Sequence, residues 1–137
     1  MTPRDLFDTY QISKMIFDRE VFRKCAIIES LTHEEPRMNE INPALIGHIP
    51  ADSHLRNLLQ TEKLPQYDFI KMTAEVKEFT KRHLSKLKND EIKVINDFYG
   101  KGIYNPNIID AGLFNEQIAK YPAVLWTLRQ IKKRKKE

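Results

Sequence analysis

Between residues 67 and 88, Phe69, Met72, Val76, Phe79, His83 and Leu87 recur at spacings of three and four. A helix of about 3.6 residues per turn gathers such positions on one side. Lys71, Lys77, Lys81, Arg82, Lys86 and Lys88 fall on the other side, with Glu75 and Glu78 among them. A helix with one apolar stripe and one charged face must bury the stripe against other elements. The rest of the chain therefore has to supply partners for it.

Those partners read as helices too. The chain has four glycines, and three of them, Gly100, Gly102 and Gly112, lie within thirteen residues. Scarce glycine elsewhere favours long regular elements. Thr2 and Pro3 form a start signal, a capping hydroxyl followed by proline at the first helical position. From there Leu6, Tyr10, Phe17, Val21, Ile28 and Leu31 keep to one side of a wheel, while Ile12, Met15, Ile16, Phe22, Ala26 and Ile27 spread around the rest. The spread predicts a central helix over residues 3 to 31 touched on more than one side, with a break near Gln11 to Ser13 as the alternative and Ser13 as the second cap.

Pro36, Pro43 and Pro50 punctuate an irregular stretch from Thr32 to Pro50, in which Asn42 and Pro43 start a turn ending near Gly47. Pro50 to Glu62 reads as a short helix with Leu55, Leu58 and Leu59 inward. Asn89, Asp90 and Glu91 cap a helix carrying Ile92, Val94, Ile95 and Phe98, which Gly100 ends. Asn115 caps a last helix that restarts at Pro122, with Tyr121, Val124, Leu125, Leu128 and Ile131 as its stripe. The expected fold is all-α, an irregular bundle of five or six helices with residues 3–31 and 67–88 as its spine. Its core should include Phe17, Val21, Ile28, Phe69, Val76, Phe79, Phe98, Leu125 and Leu128.

Length sets one domain: 137 residues bury enough surface to need no covalent staple. The reading is a single helical domain over 1–131 followed by a basic tail over 132–137. The lone Cys25 has no internal disulfide partner, which points to a reducing compartment, and it reads as a small buried hydrophobe. No apolar run approaches the roughly 18 residues of a membrane span. Met1 to Asp5 lack the basic and apolar regions of a secretory signal. The expected address is intracellular and cytoplasmic, or an organelle once a transit peptide has been removed.

Charge is concentrated at the end. Arg129, Lys132, Lys133, Arg134, Lys135 and Lys136 face only Glu137, giving +5 in a chain of net +4, so residues 1 to 128 carry about −1. Such a run can hold phosphates by releasing counterions, or meet an acidic protein surface, an anionic membrane or an import receptor. Trp126 just upstream could stack on bases or sit in an interface, and the alternative places it in the core. Lys77, Lys81, Arg82, Lys86 and Lys88 would extend a cationic surface if tail and helix met. The bland alternative is a solvated arm and a solvated helix face, with ordinary pairs such as Glu78 to Arg82.

Signatures of chemistry are weak. His48, Asp52 and His54, with His33, Glu34 and Glu35 before them, carry imidazoles and carboxylates. The two His48 and His54 imidazoles are six residues apart across Pro50, whereas a helical zinc signature wants two His at i and i+4. His83 reads as a core-edge histidine. Glu75-Val76-Lys77 and Glu91-Ile92-Lys93 resemble half of a metal-dependent nuclease signature, but on helices where that chemistry needs a strand. Gly100-Lys101-Gly102 lacks the remaining residues of a phosphate loop and reads as a helix stop. No catalytic residue, metal or cofactor is assigned. The expected function is a non-enzymatic helical binding protein, an adaptor or accessory subunit of a larger assembly. Its partner is another protein, met through Trp126, His48 and His54. The alternative is a nucleic-acid-binding protein of low sequence specificity, using the tail and the Lys77 to Lys88 face. An enzyme built on the His48 to His54 loop is the third reading.

Overall fold

The computed structural model describes residues 3–38, 41–48, 68–110, 112 and 114–136. These are all-α, with no strand among them. Among the described residues five α-helices run in chain order: α1 (Pro3–Ser13), α2 (Arg19–Ser30), α3 (Phe69–His83), α4 (Asn89–Asn96) and α5 (Pro122–Arg134). A 3-10 helix, Pro43–His48, lies between α2 and α3, and a π turn, Asp97–Lys101, continues α4. Two further 3-10 helices, Pro106–Ile108 and Glu116–Lys120, precede α5. The helix expected over Pro50–Glu62, with Leu55, Leu58 and Leu59, lies outside the described residues.

The single helix expected over residues 3 to 31 is two helices. Ser13 ends the first and does not cap the second: its Oγ donates to the Tyr10 carbonyl at 2.7 Å. Asp18 starts the second, its Oδ1 accepting from the backbone N–H groups of Glu20 at 2.8 Å and Val21 at 3.1 Å. Those N–H groups have no partner inside a helix, so the carboxylate supplies one. The over-wide apolar surface is thus the superposition of two narrower stripes on one wheel. Met15 and Ile16, which the continuous helix would have used, are exposed.

The chain divides into two compact units. The first contains Met1–Phe17 and Asn42–Lys86. Its centre is Leu6, Ile46 and Val76, all buried, with Tyr10 and Phe69 packed against them. α1 and the 3-10 helix both lie against α3. Asp68 caps α3, accepting from the N–H groups of Ile70 at 2.9 Å and Lys71 at 3.2 Å. Met72, Val76 and Phe79 form its buried stripe, and His83 closes it with its ring 4.8 Å from that of Phe79. α3 is shorter than the expected helix: it ends at His83, so Lys86 and Leu87 lie beyond it.

The second unit contains Asp18–Ile41 and Leu87–Glu137. Ile27, Ile28 and Leu31 from α2 and the turn after it, Val94, Ile95 and Phe98 from α4 and the π turn, and Val124, Leu128 and Ile131 from α5 are buried. Each such side chain contributes about 1.5–3 kcal/mol when removed from water. Polar groups tie the layers. Thr127 Oγ1, fully buried, donates to the Thr32 carbonyl at 2.8 Å. The Tyr99 hydroxyl donates to the carbonyl of His33 at 2.8 Å, and that of Tyr104 to the carbonyl of Ile118 at 2.7 Å. Of the expected core, Ile28, Val76, Phe79, Phe98 and Leu128 are buried, whereas Phe17, Val21, Phe69 and Leu125 are half-buried. Gly102, not Gly100, ends the α4 segment, in the left-handed conformation at φ 68°.

Candidate functional site

α5 presents two unlike faces. Val124, Thr127, Leu128 and Ile131 recur at spacings of three and four and are buried. On the opposite side Pro122, Trp126, Arg129 and Lys133 follow the same spacing outward, and Trp126 is 53% exposed. Asn115 sets this up: its side chain accepts from the Gln117 N–H at 2.9 Å, starts the Glu116–Lys120 turn and brings Lys120 to the head of α5. Pro122 then restarts the chain as an α-helix, its fixed φ suited to a first turn. Lys120, Pro122, Ala123, Leu125, Trp126 and Arg129 line an open hollow of about 550 Å³. From Lys120 to Lys136 the chain carries seven cations and no acid.

The basic run is not a separate tail beginning after Ile131. Lys132, Lys133 and Arg134 are the last turn of α5. Lys135 Nζ donates to the Tyr99 carbonyl at 2.7 Å and also to that of Gly100. Arg134 pairs with Glu34. The stem of Lys132 lies over Gly102, where an added Cβ would sit 3.1 Å from the lysine Cε. Two effects make this favourable. Carbonyls at the end of the α4 segment lack helical partners, and cations in the last turn of α5 oppose its dipole. Lys133 and Lys136 are exposed.

The remaining candidate cations are divided between the units. Lys77, Lys81 and Arg82 lie exposed on α3 with Lys86 just past it, all in the first unit, and Arg82 pairs with Glu78 at 2.9 Å. Lys88 belongs to the second unit, with its Nζ 3.5 Å from Glu20. Glu20 also receives the buried Lys24 at 3.1 Å. The Lys24 hydrogen bond, then the charges of Lys24 and Lys88, hold the Glu20 carboxyl below its ordinary range. His48 ends the Pro43–His48 turn. Asp52 and His54 lie outside the described residues.

Cys25 is exposed, contrary to the reading of a buried hydrophobe. α2 turns it toward a smaller hollow of about 200 Å³, shared with Ile28, Glu29, Phe114, Ile118 and Tyr121. Of the Glu-x-Lys triplets, both on helices, Glu75 pairs with Lys14 and the fully buried Glu91 with Arg23. Sequence reasoning missed the Arg23–Glu91 and Lys24–Glu20 pairs. Glu91 stands where α4 begins, and capping was the visible part of its role. Burial pushes the phenols of Tyr99 and Tyr104 up to about 12. Among the described residues no three His, Cys, Asp or Glu side chains group as a metal site requires, and no helix is long and apolar enough to cross a membrane. Compared with family models, curated proteins and solved structures, the chain matches none.

Proposed function

We propose that the chain is a non-enzymatic binding protein, an adaptor or accessory subunit of a larger assembly, and that the outward face of α5 is its docking surface. The observation that carries this reading is the 53% exposure of Trp126 on a helix whose other face is already buried. An indole left half in water forfeits apolar burial that a partner can recover. Trp and Arg are the side chains most enriched at binding hot spots, and here Arg129 stands one turn from Trp126. The test is proximity labelling in cells with the wild-type chain and with Trp126→Asp, after circular dichroism and thermal unfolding confirm an unchanged fold. A neighbour labelled by the wild type and lost in the variant is expected. The same neighbours from both chains would overturn the docking role.

Binding of nucleic acid without sequence preference is the second reading. It draws on the acid-free stretch from Lys120 to Lys136.

A further inference from the structure

We infer that the occupant of the α5 face is an acidic amphipathic segment of a protein partner: one large apolar side chain seats beside Trp126 while carboxylates meet Arg129 and Lys133. This rests on the docking role proposed above and adds the chemistry of the partner.

The face has an apolar centre and a cationic rim. Pro122, Ala123, Leu125 and Trp126 supply the apolar lining, and Lys120 and Arg129 the charges. Along the helix Arg129 lies about 4.5 Å beyond Trp126, and Lys133 about 10.5 Å beyond it, at 1.5 Å per residue. Spacings of three and seven keep both cations on the indole's side. A partner helix with an apolar anchor and carboxylates one and two turns along would match that ladder. Because no acid lies between Lys120 and Lys136, α5 itself carries no carboxylate for a basic partner, and its cations favour an acidic one. An apolar centre flanked by Lys120 and Arg129 also fits the anatomy of an interface, apolar in the middle and polar at its edge.

The same cations serve nucleic acid less well. Strand-binding platforms stack successive bases on several aromatic rings. On this face Trp126 stands as one ring, and Tyr121 at the start of α5 donates its hydroxyl to Glu29 at 3.1 Å. Arg134 and Lys135 are engaged with Glu34 and with the carbonyls of Tyr99 and Gly100.

Trp126 is the chain's only tryptophan, so its emission reads the hollow directly. The probes are a short synthetic helical peptide with Leu and Phe on one face and Glu on both flanks, the same peptide with Gln or with Lys for Glu, and a random single-stranded oligonucleotide. The Glu peptide should shift the emission to the blue. The Gln peptide should do so more weakly, and the Lys peptide not at all. Arg129→Glu or Lys133→Glu should weaken the Glu peptide at least about threefold, the scale of exposed ion pairs. Trp126→Ala, read by anisotropy of a labelled peptide, should weaken it at least about tenfold. Equal binding of Glu, Gln and Lys peptides would overturn the acidic partner and leave the docking role standing. A response to the oligonucleotide alone would overturn both. Silence from every probe would also overturn the acidic partner, with the docking role then judged by the cellular labelling.

Discussion

Arg23 Nε donates to Glu91 Oε1 at 2.8 Å, joining two side chains 68 residues apart in sequence. Glu91 is fully buried, and its other oxygen accepts the backbone N–H of Lys88 at 2.7 Å. One carboxylate thus caps α4 and ties α2 to it inside the second unit. Removing one partner of a buried ion pair leaves the other charge uncompensated, which costs about 3–5 kcal/mol. Glu91→Ala should lose about that much in urea unfolding, because it strands both Arg23 and the cap. Arg23→Met with Glu91→Leu should recover a substantial part, since a well-packed apolar pair avoids the desolvation of two ions. A loss below about 1 kcal/mol in Glu91→Ala would mean that water reaches this pair.

Gly100 and Gly102 should respond to alanine in opposite ways. Gly102 has φ 68°, and an added Cβ there meets the Lys132 stem at 3.1 Å. A left-handed backbone costs a residue with a Cβ about 1–2 kcal/mol. At Gly100 no heavy atom lies within 4 Å of the new Cβ, and its φ is not positive. Gly102→Ala should therefore lower the unfolding midpoint, while Gly100→Ala should leave it in place or raise it slightly.

The basic run should act as structure as well as charge. Truncation after Ile131 removes the Lys135 contacts to Tyr99 and Gly100, the Arg134 pair with Glu34 and the cations opposing the α5 dipole. Each is an exposed contact of modest value, about 0.3–1 kcal/mol for a cation at a helix end. The truncated chain should be destabilised by about 1 kcal/mol or more in urea, and Lys135→Ala should reproduce part of the loss. Identical unfolding curves for full and truncated chains would return the run to a solvated arm.

What was legible in the sequence follows from where each signal lives. α3 was readable from its apolar stripe and opposite charged face, and the Pro122 restart of α5 from its proline and the stripe that follows it. The break between α1 and α2 was obscured, since Met15, Ile16 and Phe17 continue the apolar run across it and only the Asp18 carboxylate marks the restart. Trp126 was readable as a candidate but not as exposed. Its outward direction is set by Val124, Thr127 and Leu128, which already cover the inward face. Lys135 and Glu91 were hidden for another reason. One finds backbone carbonyls that have no residue code, and the other finds a partner from a distant helix.

Stability should fall at both ends of the pH scale through named groups. Burial raises Tyr99 and Tyr104 from 10.0 to about 12. The folded state thus holds these protons more tightly than the unfolded chain does. Their contribution is whole below about pH 10 and is lost as pH rises from 10 toward 12. Tyr121, raised by its hydrogen bond to Glu29, acts in the same direction. At the acid end Glu20 is depressed by the Lys24 hydrogen bond, so its contribution is present above its ordinary 4.5 and disappears as pH falls through the lowered value. Tyrosinate absorbance should rise in separate waves, with the late wave reduced in Tyr104→Phe. Urea midpoints of that variant should also fall less steeply above pH 10 than those of the wild type. A single wave near 10 that keeps its midpoint in Tyr104→Phe and loses only one phenol's share of its height would show that water reaches both half-buried phenols.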